Sequence, residues 1–247
     1  MRRTLELDVT PQARYALVTA EGGLHLGSYR RLRDGLLEVG ADTPDAVIAR
    51  IDGLDFDGLA PLSVFGLVAR RLGTWPGIPF ALATGTGDQA RTLRERGVHR
   101  RVAIQVDVRS AERALCRPAR RQLELPLHRN PEAPAMARTA VREACARWAV
   151  PQFVYDGILV AGELAENTLR HTTSAVTLRL DLRRNRLTIA VLDDDPQPAV
   201  LLPRPTPGAS GLGLHIVAQS AAEWGCSPRW SGGKVVWAVL TSDGRTG

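Results

Sequence analysis

The hydrophobic pattern changes rhythm near the middle of this 247-residue chain. In the first half, short apolar runs alternate with amphipathic stretches. LELDV and RYALVTAE predict two strands joined by a TPQA turn, and SYRRLRDGLLEVG predicts a helix with Leu32, Leu36 and Leu37 inward. AVIARI and IPFALA read as short buried strands, and PLSVFGLVARRL between them is a helix opened by a proline. After the turn-forming TGTG, DQARTLRERG predicts a helix with Asp88 as N-cap and Gly97 as stop. RVAIQV and SAERALCR complete the pattern as strand and helix. The order β-β-α-β-α-β-α-β-α implies a small α/β domain with a mainly parallel sheet.

A proline and clustered arginines in CRPARRQ interrupt that pattern and place a boundary between residues 117 and 118. Beyond it, RQLELPLH predicts a strand. PEAPAMARTAVREACARWAV is an alanine-rich helix with a leading proline, and a second helix runs from about Phe153 to His171. VTLRLDLRRNRLTIAVLDD alternates on both sides of Arg184-Asn185, the mark of an antiparallel hairpin. The proline-rich PQPAVLLPRPTP leads to GASGLGLHIVAQSAAEWG, a glycine-rich turn opening into a helix, and GGKVVWAVLTS is a last strand. Two long helices on an antiparallel or mixed sheet make an α/β sandwich. The expected organisation is two α/β domains, residues 1–117 and 118–247.

Composition narrows the class. With 44% hydrophobic and 23% charged residues the chain is an ordinary globular one. No apolar run approaches a membrane span, and MRRTLELDVT passes directly into strand-like sequence without a signal peptide's apolar segment. The expectation is a cytoplasmic protein. Cys116, Cys145 and Cys226 are far apart and form no CxxC pair, so they are expected to be reduced. The net charge of +6 comes almost wholly from arginine, Lys234 being the one lysine. Such a balance favours acidic partners. The arginines of RTLRERGVHRR and CRPARR have no Phe, Tyr or Trp among them, which favours a solvated helix face or a protein-docking surface over a nucleic-acid site.

Three stretches carry candidate chemistry. In GELAENTLRHT, Glu163, Asn167 and His171 recur every four residues and share one helix face. The Asn167 amide oxygen is a hard neutral ligand that Mg²⁺ accepts when phosphates and waters fill its other positions. Glu163, one turn earlier, is placed to orient or deprotonate an attacking water or hydroxyl. In GASGLGLHIV, the glycines at 208, 211 and 213 let backbone N–H groups approach an anion, and the helix beginning there turns its positive end to the same point. In VLDDDPQ, Asp193 ends a buried strand and can accept a hydrogen bond from an exocyclic amine, which adenine has and guanine lacks at that position. Taken singly, each has a plain reading: a solvated stripe, a turn, a strand end.

In chain order, the three stretches resemble the N box and the two glycine boxes of the GHKL ATP-binding superfamily. The form here is similar to that of the anti-sigma-factor serine kinases and covers about Arg121 to Ser242. The resemblance implies a Bergerat-type α/β sandwich binding ATP with Mg²⁺. It places Glu163 as general base, Asn167 as magnesium ligand, Asp193 as adenine reader, and Gly208, Gly211, Leu212 and Gly213 as the phosphate cradle. His171 touches phosphate or caps its helix, the cap being favoured. Asp195 and Gln197 stand where the family's first glycine box continues with glycines. Val235 stands near the place of a Thr or Ser that helps hold adenine.

The first half resembles a STAS domain, the fold of anti-sigma-factor antagonists. Its order of elements fits, and IDGLDFDGLAPL lies on the motif with a phosphorylatable serine, where Asp57-Gly58-Leu59-Ala60 carries no hydroxyl. The implied partners are a sigma factor or a STAS-type antagonist protein, with a homodimer as the expected assembly. Two functions follow: a serine/threonine protein kinase acting on an antagonist, or a binding module that sequesters its partner without turnover.

Overall fold

A computed structural model describes residues 3–56, 60–115, 120–128, 131–201 and 212–242. The chain divides into two compact units, Met1–Arg117 and Pro118–Gly247. No helix among the described residues is long and apolar enough to cross a membrane.

In the first unit the elements run β1 (Glu6–Pro11), β2 (Ala16–Leu24), α1 (Tyr29–Ala41), β3 (Val47–Arg50), β4 (Leu54–Phe56), α2 (Ser63–Thr74), β5 (Phe80–Ala83), α3 (Gly87–Glu95), β6 (Ala103–Gln105) and α4 (Val108–Ala114). The sheet has the order β1-β2-β3-β5-β6, with β4 on the end of β2. Among the described strands of this sheet, only β1 is antiparallel to its neighbour. Both faces are covered, which is why the inner strands read as unbroken apolar runs. Val47 and Ala49 pack with Leu32, Leu36, Phe65 and Val68, whereas Ile48 between them packs with Ala81, Ala83 and the α4 residue Ala111.

Three details of this unit differ from the sequence reading. The N-cap of α3 is Thr86, whose hydroxyl accepts the Gln89 N–H at 3.2 Å. Asp88 lies inside the first turn and pairs with Arg91 at 2.8 Å, so the helix starts earlier than an Asp88 cap requires. Leu37 is only partly buried, at the margin of the core. The short strand β4 had no alternation long enough to announce it.

In the second unit the elements are β7 (Arg121–Leu127), α5 (Ala133–Trp148), α6 (Val154–His171), β8 (Val176–Arg183), β9 (Arg186–Asp193), α7 (Leu212–Ser220), β10 (Glu223–Pro228) and β11 (Lys234–Thr241). The sheet is antiparallel throughout, in the order β10-β11-β9-β8-β7. Alternate residues on its strands, Leu178 and Leu180, Ile189 and Val191, Val236 and Ala238, pack with Val141, Val160, Leu164 and Val217 of the three helices. The hairpin turn falls at Arg184-Asn185, both with positive φ (45° and 58°), as a two-residue turn matching strand twist requires. The Asn185 amide donates to Ser242 Oγ at 2.8 Å, tying the turn to the end of β11.

At the other end of this sheet, β9 finishes at Asp193 and β11 begins at Lys234, its cross-strand partner. Gly233, with φ of 71°, lets the chain enter β11 there. A Cβ at that position would collide with the Asp193 carbonyl oxygen and come within 2.7 Å of the Asp194 Cα. Backbone on both sides leaves no room to relax. Gly233→Ala is therefore expected to cost at least about 2 kcal/mol, combining the left-handed backbone penalty with the clash; a denaturant titration showing an unchanged midpoint would contradict this packing.

Candidate functional site

The α6 helix buries Gly157, Val160, Ala161, Leu164, Ala165 and Thr168 against the sheet and its neighbouring helices. A helix cannot bury its whole circumference against one layer, so its margin carries the polar residues. Glu163 and Asn167 are half-buried on that margin, and His171 is exposed in the last turn. Together with Asp193 from the end of β9 and Gly213 from the start of α7, they line a cleft of about 400 Å³. Three stretches distant in sequence thus meet at one place.

Hydrogen bonds hold its walls. Beyond α6, the hydroxyls of Thr172 and Ser174 lie 2.8 Å apart, and Ser174 Oγ accepts the Asp194 N–H at 3.0 Å. The helix end is thereby pinned to the end of β9. On the opposite wall, Cys226 Sγ accepts the Ala199 N–H at 3.4 Å. Arg170, Pro198, Ala199 and Val200 also line the cleft.

Glu163 is closely approached by α7. A Cβ added at Gly213 would lie 2.7 Å from Glu163 Oε2. Only a residue without a side chain lets the helix entry sit against that carboxylate without displacing it. Burial, and then the neighbouring Glu166, push the Glu163 carboxyl above its ordinary value, while Arg138 and Arg170 oppose the rise. Asn167 makes no hydrogen bond to any other described residue. The ring of His171 likewise makes none among the described residues, so it caps no carbonyl of α6 by hydrogen bonding. Leu212 opens α7 but does not line the cleft, being half-exposed. Gly208 and Gly211 lie outside the described residues, as do Asp57, Gly58, Leu59 and Cys116.

The Asp193 end of the cleft holds a residue that sequence reasoning missed. Lys234 Nζ donates to Asp193 Oδ1 at 2.8 Å and to the Asp195 carbonyl oxygen at 2.9 Å, and lies 3.3 Å from Asp195 Oδ2. Asp193 Oδ1 also accepts the Asp195 N–H at 2.9 Å. The Gln197 N–H, donating to Asp195 at 3.0 Å, is the main cause holding that carboxyl below its ordinary value, with Lys234 contributing. Val235 is fully buried opposite Leu192 and points to the other face of the sheet, away from Asp193. The available signal was the one lysine of the chain, set directly after two glycines at the start of the last strand. Only the register of β9 with β11 showed which acid it meets.

No family model and no curated protein matches the sequence. Solved structures with partial likeness include an anti-sigma factor antagonist from Mycobacterium paratuberculosis, at 17% identity over 45% of this chain and 94% of that one, with a TM-score of 0.39. An RsbS variant from Moorella thermoacetica is 21% identical over 43% of this chain and 92% of that one, with a TM-score of 0.36. The RsbU and RsbW domains of a Mycobacterium tuberculosis protein are 15% identical over 51% of this chain, which spans 34% of theirs, at 0.38. At these TM-scores the likenesses are partial, and the functional reading rests on the cleft itself.

The raised carboxyl of Glu163 has a signed consequence for stability. The folded chain holds that proton more tightly than the unfolded chain, so the ionised group weakens the fold above its folded pKa. The penalty fades as pH falls through the folded pKa and is gone below the unfolded value. Glu163→Gln is expected to raise the melting temperature at pH 7 by about 1–3 °C and to match the parent below about pH 4. A lower melting temperature at pH 7 would mean that the carboxylate is a structural partner and not a strained one.

Proposed function

We propose that the second unit is a magnesium–nucleoside triphosphate-binding regulatory module of the anti-sigma-factor type, ATP being the nucleotide its sequence resemblance implies. The observation that carries this reading is the meeting of Glu163, Asn167 and Gly213 at one cleft, where the Asn167 amide has no hydrogen-bond partner among the described residues and lies beside the first turn of α7. The residues fit such a ligand at its metal and phosphate end. The Asn167 oxygen would hold the metal; the backbone around Gly213 and the positive end of α7 would face the phosphates. Bound nucleotide supplies a transferable terminal phosphoryl group. Arg170 adds positive charge on the same wall, and Glu163 is placed to orient a hydroxyl or to take its proton. A carboxyl pushed upward by burial is a better base than an ordinary exposed one. The hydroxyl belongs to a serine of a STAS-type antagonist, and the regulated partner is a sigma factor or that antagonist.

A second reading has its own support. Asp193 is engaged by Lys234, and α7 lies close on Glu163, an arrangement that also suits a binding module which holds a partner and turns nothing over.

Calorimetric titration with ATP and magnesium tests the first reading. The native protein is expected to give a saturable, magnesium-dependent heat, and Asn167→Ala to weaken binding about tenfold or more, the loss of one hard ligand. Equal heats from both proteins would remove the metal assignment. With a STAS-type antagonist and labelled ATP, Glu163→Ala is expected to lower phosphoryl transfer about 100-fold or more while binding persists. Binding without transfer in the native protein would leave the second reading standing.

A further inference from the structure

We propose that the first unit carries a binding site for a small organic phosphate, in a groove between α2 and the turn that follows α3: three arginines take the phosphate, and the apolar part of the lining takes the body attached to it. The proposal is independent of the nucleotide reading, whose residues all belong to the second unit.

The groove encloses about 510 Å³, a volume that suits a small organic molecule and exceeds what a bare phosphate fills. Arg70, Arg96 and Arg101 line it, and no described Asp or Glu does. Two glycines bring these arginines to one place. Gly66 and Arg70 lie one turn apart on the same face of α2. A Cβ at Gly66 would come within 3.2 Å of Arg101 Cδ, so the missing side chain lets the Arg101 stem lie against α2, one turn from Arg70. Gly97, with φ of 77°, ends α3 and turns the chain, so that Arg96 before the turn and Arg101 after it line the same groove.

The charge of the three is uncompensated among the described residues. Arg91 and Arg94, close by in the chain, have acceptors: Arg91 pairs with Asp88 at 2.8 Å, and Arg94 donates to the Ile104 carbonyl at 3.0 Å. The side chains of Arg70, Arg96 and Arg101 make no hydrogen bond or ion pair with any described residue, and all three residues are exposed. Like charges around one concavity repel, and an anion between them relieves the repulsion. A carboxylate brings one charge and two oxygens. A phosphate monoester brings nearly two charges and three terminal oxygens, which is enough to occupy several guanidinium forks. The rest of the described lining is apolar apart from the hydroxyls of Tyr29 and Ser63. Leu62 is buried in the core of the unit, and Tyr29 and Val98 pack half-buried against that core. An apolar body on the phosphate would leave water here, in the same concavity as the arginines.

The experiment is a titration of the full chain with phenyl phosphate, inorganic phosphate and phenol, followed by amide NMR. Phenyl phosphate is expected to shift the resonances of Gly66, Leu67, Gly97 and Val98 saturably, and to bind at least about threefold more tightly than inorganic phosphate; phenol is expected to leave them unmoved. Arg70→Gln and Arg101→Gln exchange exposed side chains, and their folding is checked by melting; each is expected to weaken phenyl phosphate about fivefold or more. No saturable shift of these resonances up to about 20 mM would overturn the proposal, as would equal affinity for the two phosphates or undiminished binding by both folded variants. Shifts at Asn167 and Gly213 with none in the first unit would put the phosphate in the other cleft, overturning this proposal and leaving the nucleotide reading intact. Vesicles of phosphatidylcholine and phosphatidic acid offer the same group on a surface. Cosedimentation with them that Arg101→Gln abolishes would assign the arginines to a lipid headgroup and overturn the free-ligand reading.

Discussion

The cleft exists because α6 has to bury one side of itself and cannot bury all of it. Val160, Leu164 and Ala165 are fixed in the core between helices and sheet, so the angular position of every other side chain on the helix is fixed with them. Glu163 and Asn167 fall on the margin of that buried face, half in and half out. Neither polar side chain chose its direction; the apolar ones did, at about 1.5–3 kcal/mol for each large residue buried. The same packing brings α7 against α6, and Gly213 permits the approach that shields Glu163 from water.

The far end of the cleft obeys a different physics. Asp193 and Lys234 are paired strand residues pointing to the same side of a sheet, and burying either charge alone would be very costly. Their contact, extended to Asp195, sets two carboxylates around one ammonium at that end of the cleft. The two ends of the site therefore differ in kind. One presents an amide with no hydrogen-bond partner among the described residues and a carboxyl raised by burial; at the other, Lys234 bonds Asp193 and lies against Asp195.

The first unit shows how far pattern alone reaches. Its continuous apolar runs followed from burial on two faces, and the alternation of β3 between the α1–α2 core and the α4 side is the reason such runs carry no period. Where the expectation slipped, at the start of α3, the cause was local: Thr86 and Asp88 are both good caps two residues apart, and the hydroxyl that met the Gln89 N–H decided between them. The three-residue β4 depends on pairing with the end of β2, a long-range partner invisible in its own sequence.

Period and turn chemistry by themselves determined most elements of the second unit, though not the strand β10, which lies partly within the stretch read as turn and helix. They did so through the alternation around Arg184-Asn185, the apolar stripe of α6, and the four-residue spacing of Glu163, Asn167 and His171. These are consequences of 3.6 and 2.0 residues per repeat, which each segment carries within itself. Only the tertiary structure decided that Asp193 and Gly213 share a cleft with that helix, that Asn167 and His171 find no hydrogen-bond partner among the described residues, and that Lys234 meets Asp193. Those outcomes depend on strand register and helix placement, where a shift of one residue turns a side chain to the opposite face. A chain read along its length contains no distance between residues 193 and 234.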